Sequence, residues 1–162
     1  MLKANFKVLM FTLIFGVAVS FSGFASMVAF YVVEAGVNEN MEITRQGIIW
    51  ENAFLDVFFE AGHIVSNAPL LRLNSMPQGD LLRSVAYDVI DDRSGGIDFV
   101  IIALLDYSAN SSSPRKVTFY VYNVVTREKV LEREVPGRTY RNAREEFDDL
   151  KSMARGLVPY VN

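Results

Sequence analysis

The apolar residues of this chain fall into unbroken runs and into stretches spaced as on one face of a helix. Met27 to Glu34 (MVAFYVVE) is a continuous apolar, β-branched and aromatic run, which predicts an inner strand covered on both faces. From about Arg45, after a Thr44 cap, Trp50, Phe54, Val57, Phe58 and Ala61 recur at helical spacing until Gly62, a natural stop. His63 to Asn67 then predicts a short strand, and a loop runs through Pro69 and Pro77. A second helical stripe follows in Leu82, Val85, Ala86, Val89 and Ile90, closed by Ser94-Gly95-Gly96. Ile97 to Tyr107 (IDFVIIALLDY) lacks polar alternation and belongs at the sheet centre. Beyond the polar turn Ser108 to Pro114, Lys116 to Val124 alternates Val117, Phe119 and Val121 with Thr118, Tyr120 and Tyr122. A turn at Thr126-Arg127-Glu128 leads into Lys129 to Val135, and Pro136-Gly137 ends the meander. Ala143, Phe147, Leu150, Ala154 and Leu157 share a face of the last helix, stopped by Pro159. The predicted fold class is α/β, a mixed five-stranded sheet with packed helices in the order β-α-β-α-β-β-β-α.

The amino-terminal segment has a different logic. Lys3 and Lys7 precede an uncharged apolar run from Val8 to Phe21, and the small residues Ser22, Gly23, Ala25 and Ser26 follow, the layout of a secretory signal peptide. Gly23 and Ala25 meet the small-x-small requirement, so residues 1–25 are expected to be removed and 26–162 to form a single domain, periplasmic or secreted. The alternative is an uncleaved anchor over residues 8–33, since about 20 apolar residues can span a bilayer.

Composition then removes whole classes of chemistry. The 162 residues are 51% hydrophobic and 12% aromatic, too apolar for a disordered chain. Sixteen basic against nineteen acidic residues leave a net charge of -3, which argues against a nucleic-acid partner. With no Cys and one His, disulfides, thiol catalysis, Cys-based zinc sites, two-His metal sites and an amino-terminal lipid anchor are all excluded. Any general base of the imidazole type must be His63, and no G-x-S-x-G turn accompanies it, so a turn residue donating to a local carbonyl is the plainer expectation. Asp88, Asp91, Asp92 and Asp98 lack the spacing of a calcium loop and read as a solvated acidic corner. Glu145, Glu146, Asp148 and Asp149 open the last helix, where its dipole favours negative charge. Asn110-Ser111-Ser112 matches a glycosylation tripeptide, and no glycine-rich phosphate loop is present, so no cofactor is expected.

The element order, with Gly95-Gly96-Ile97-Asp98-Phe99-Val100-Ile101 before the central strand and Tyr122-Asn123-Val124-Val125-Thr126-Arg127-Glu128-Lys129-Val130 across the hairpin, resembles a family of bacterial envelope domains. These are the amino-terminal domain of TolB and the related fold of the curli secretion lipoprotein and of the lipoprotein that activates penicillin-binding proteins. In that family a G-A-D-like step precedes the strand, matched here by Gly96-Ile97-Asp98. A D-x-x-T-G-E-V turn closes the hairpin, where Arg127 here replaces the glycine. The resemblance implies an exported, non-enzymatic module that binds another envelope protein, with no catalytic residues to transfer. The candidate contact residues are Lys116, Thr118, Tyr120 and Tyr122, which alternate onto one strand face; the competing expectation is that a helix packs over them. The alternative function is a small periplasmic hydrolase or ligand-binding enzyme working through His63. Partner identity and oligomeric state are not encoded in any motif.

Overall fold

The computed structural model describes residues 25–37, 45–67, 70–77, 96–107 and 113–162. The signal segment, the Thr44 cap, the helix expected over Leu82 to Ile90, Asp88, Asp91 and Asp92, and the Asn110 tripeptide lie outside the described residues.

The elements are β1 (Met27–Ala35), α1 (Arg45–Glu60), β2 (Ile64–Asn67), β3 (Leu71–Leu73), β4 (Phe99–Asp106), β5 (Lys116–Asn123), β6 (Glu128–Pro136) and α2 (Ala143–Arg155), with a closing 3-10 turn at Val158–Tyr160. The class is α/β, as predicted, but the sheet has six strands rather than five. Its order is β2-β1-β4-β5-β6, with β3 also paired to β1. The additional strand, β3, falls where the sequence reads as loop. Three residues are too few to show a period, and only pairing of Leu71–Leu73 beside Val33–Ala35 makes them a strand. β2 and β3 are one edge in two pieces, β2 along Met27–Phe30 and β3 along the later part of β1. Between them the sequence has Pro69, which has no N–H to donate to a ladder.

β1 and β4 run parallel and in register from Val28↔Phe99 to Ala35↔Asp106, and β5 and β6 continue the sheet antiparallel. The even positions of β1 and the odd positions of β4 and β5 face the helices. There, Val28, Phe30, Val32, Ile101, Ala103, Phe119 and Val121 meet Trp50, Phe54, Val57 and Phe58 of α1 and Leu150 and Ala154 of α2 in one core. Trp50, Phe54 and Phe58 lie four residues apart and build a row of rings, with Phe54 stacked on Phe30 at 4.3 Å and 10° and on Phe119 at 5.5 Å. The opposite face buries Ala29, Tyr31, Val33, Val100, Ile102, Leu104 and Tyr122 in a second core.

Both helix ends follow from local chemistry. α1 stops before Gly62, whose φ of +90° is strained for any residue with a Cβ. Asn142 caps α2 by accepting from the backbone N–H groups of Arg144 (3.1 Å) and Glu145 (2.9 Å). The helices are joined by Lys151 Nζ, which donates to Asp56 at 2.5 Å and to Glu60 at 3.3 Å.

Phe58 and Ile101 are fully buried at the helix and sheet sides of the first core. Phe58→Ala is expected to cost about 3–5 kcal/mol and Ile101→Ala about 2–5 kcal/mol, read by chemical denaturation. A loss below about 1 kcal/mol at either position contradicts this packing.

Candidate functional site

The β5–β6 hairpin places the four sequence-derived contact residues on the sheet face away from α1 and α2. Lys116, Thr118, Tyr120 and Tyr122 pair with Asp106, Leu104, Ile102 and Val100 of β4. The structure divides them: Thr118 and Tyr122 are buried, whereas Lys116 and Tyr120 are half-buried and reach solvent. Neither α1 nor α2 covers them, because both pack on the other side of the sheet.

Tyr120 stacks on Tyr122 at 6.4 Å with the rings 18° apart, and Lys129 Nζ lies 5.8 Å from the Tyr120 ring centre. On β6, Glu132 and Glu134 are the cross-strand neighbours of Tyr120 and Thr118. Lys116 pairs with Glu134 at 3.1 Å, and Lys129 pairs with Glu132. The Tyr120 hydroxyl is held above the usual phenol range, first by burial and then by the Glu132 carboxylate. The product is an aromatic pair inside a frame of alternating charge.

Two backbone features set this geometry. The register slips between Val121 and Tyr122, a bulge that brings Lys129 opposite Tyr122. At the turn, Asn123 Oδ1 accepts from the Thr126 N–H at 3.0 Å, and Arg127 has φ of +58°, the conformation that suits the glycine it replaces in the related turn.

His63 corrects an expectation. It is buried, its ring tilted against Phe58 at 5.9 Å, and neither Nδ1 nor Nε2 has a hydrogen-bond partner. It therefore donates to no carbonyl through its side chain, and no serine or acid reaches it to build a triad among the described residues. Burial lowers its pKa below the ordinary 6.5. Asp98 is not a bystander in an acidic corner either: its carboxylate accepts from the Met27 N–H at 2.8 Å and fixes the start of β1.

The sequence did not single out Glu34, Tyr107 or Glu146. Glu34 ends the apolar run of β1 on the helix side, almost fully buried, and accepts from Arg72 Nε at 3.1 Å across the β1–β3 pair. Its only signal was one acid closing the run MVAFYVVE. Tyr107, just past β4, is also buried, and its pKa is raised by burial first, then by the charges of Glu34 and Glu146. These groups gather at the carboxyl ends of β1 and β4. Here the strand order reverses, with β2 and β3 on one side of β1 and β4 on the other, the place where open α/β sheets form crevices. Among the described residues no three His, Cys, Asp or Glu side chains converge to hold a metal ion.

Comparison with known proteins finds no matching protein family and no similar curated protein. Among solved structures there are partial likenesses. A PelC dodecamer subunit from Paraburkholderia phytofirmans is 16% identical, with a TM-score of 0.42 over 85% of this chain and 88% of that one. TolB from Acinetobacter baumannii is 12% identical, with a TM-score of 0.42 over 83% of this chain, which spans 28% of TolB. A hypothetical protein from Chlamydia trachomatis is 9% identical, with a TM-score of 0.46 over 85% of this chain and 95% of that one. These are likenesses of structure at low sequence identity.

Because His63 is neutral in the fold and free to protonate once unfolded, the unfolded chain takes up a proton first as the pH falls through 6.5. Stability is expected to drop with falling pH from there down to the lowered folded pKa. Denaturation at several pH values should show this acid-side loss in the wild type and a smaller one in His63→Leu; equal slopes contradict a neutral buried imidazole.

Proposed function

We propose that this chain is an exported, non-enzymatic interaction module of the bacterial cell envelope that grips another envelope protein with the outer face of β5 and β6. The observation that carries the proposal is the Tyr120–Tyr122 stack framed by Lys116, Lys129, Glu132 and Glu134 on a sheet face that α1 and α2 leave alone. Tyrosine offers a large contact area with few rotatable bonds, and surrounding charges fix the register of a partner. Lys116 and Tyr120 make the direct contact, while the buried Thr118 and Tyr122 flank them on the same face. Export is supported by the basic, apolar and small-residue order of residues 1–25. Among the described residues no helix is long and apolar enough to cross a membrane.

Two measurements test this. A photoreactive benzoylphenylalanine replacing Tyr120 should cross-link to one discrete envelope protein in cells, while the same group replacing Arg155, an exposed residue of α2, should not. Tyr120→Ala should then weaken binding to that protein by about tenfold or more while the domain stays cooperatively folded. Equal cross-linking at both positions, or unchanged binding by the folded variant, overturns the assignment. Separately, the intact mass of protein recovered from the envelope should correspond to a chain beginning at Ser26; retention of residues 1–25 contradicts cleavage.

A further inference from the structure

The start of α2, the end of β6 and the beginning of β5 enclose a cleft against α1. It contains about 280 Å³ including its open mouth, and the space its walls enclose has room for one water-sized group. Trp50, Val117, Pro136 and Met153 form apolar walls, and Glu146 supplies the carboxylate. Among its lining residues, Gly137 lies directly on the Pro114–Arg115 backbone: a Cβ there would sit 1.7 Å from the Pro114 carbonyl oxygen.

Glu146 is 8% exposed, and its carboxylate has no hydrogen bond or ion pair among the described residues. The cation nearest the mouth is already engaged: Arg138 donates to Asp149 at 2.6 Å, and Tyr140 donates to the other Asp149 oxygen at 2.7 Å. Burial alone raises the Glu146 pKa, with no cation acting against it, and the same carboxylate raises the pKa of Tyr107 and Tyr140. A carboxylate this far withdrawn from water is poorly solvated, and a cation held beside it offsets that cost.

We propose that this cleft is a binding site for a primary alkylammonium group, seated against Glu146 with its alkyl chain leaving through the open mouth along Pro136 and Met153. Three constraints select this chemistry. The enclosed space fits –NH₃⁺ and is too small for a guanidinium or a quaternary ammonium. One carboxylate is too few ligands for calcium or magnesium, which need several oxygens. The solvent-facing apolar walls, Pro136 and Met153, suit methylene groups. The ammonium belongs either to a free small amine or to a lysine side chain presented by a protein, and size separates the two. This site lies on the helix side of the sheet and is independent of the Tyr120 surface.

Trp50 is the only tryptophan of the chain, so its fluorescence reports on the cleft without labelling. n-Butylammonium chloride should change Trp50 emission saturably, and tetramethylammonium chloride at equal ionic strength should not. Glu146→Gln should weaken n-butylammonium affinity by about tenfold or more, the loss expected of a charged hydrogen bond. The affinity should fall as the pH is lowered through the range in which Glu146 takes up its proton. Nα-Acetyl-lysine N-methylamide serves as the second arm: binding comparable to n-butylammonium assigns the site to a protein lysine, and exclusion of this probe alone assigns it to a free amine. The carboxyl ¹³C resonance of Glu146 should shift on adding n-butylammonium to the wild type, a readout that does not depend on the variant folding. The proposal is overturned by an unchanged emission and resonance, by equal binding of tetramethylammonium, or by unweakened binding to folded Glu146→Gln.

Discussion

Strand β4 is hydrogen-bonded on both edges and buried on both faces, and the rest of the structure is arranged around that constraint. It pairs with β1 on one side and β5 on the other, and seven of its eight residues are buried, which leaves only its last position, Asp106, for a polar side chain. Polar chemistry is pushed outward along two routes. One runs across the sheet, where burial is nearly complete in β4, broken at Lys116, Tyr120 and Asn123 in β5 and mostly lost in β6. The other runs to the carboxyl ends of β1 and β4, where Glu34, Tyr107 and Glu146 collect under the helices.

These two regions solve different problems with similar side chains. At the β6 edge a strand with free backbone groups invites pairing with other chains, and charges on both sides together with a bulge discourage it. The same charges frame the Tyr120 stack, so protection of the edge and presentation of a contact surface use one set of residues. At the strand ends, carboxylates are enclosed instead of solvated. Glu34 is balanced by Arg72, while Glu146 has an open cleft in place of a counter-charge.

Long elements with a strong period were legible in the sequence. The MVAFYVVE and IDFVIIALLDY runs became the parallel inner pair, and Trp50, Phe54 and Phe58 became the packed face of α1 because the 3.6-residue period survives in any context. β3 was not legible, since its three residues are strand only through β1. Of the candidate surface, alternation placed Lys116, Thr118, Tyr120 and Tyr122 on one face, but it carries no information on depth, and Thr118 and Tyr122 proved buried. Glu146 was hidden for the opposite reason. In a run of four acids opening a helix it looks like ordinary dipole compensation, and only the approach of Gly137 to Pro114 and of Trp50 from α1 encloses it. His63 followed the same rule, because its neighbours in space, not in sequence, determine whether its nitrogens find partners.

The central claim is that β4 is the structural keystone and that order declines outward toward β6. Native-state amide hydrogen exchange read residue by residue tests it most directly. Amides of Phe99–Asp106 and of their partners in β1 are expected to exchange only through global unfolding, and those of Glu128–Pro136 through smaller openings of lower free energy. Amides in β4 exchanging as readily as those in β6, with both below the global unfolding free energy, would contradict it.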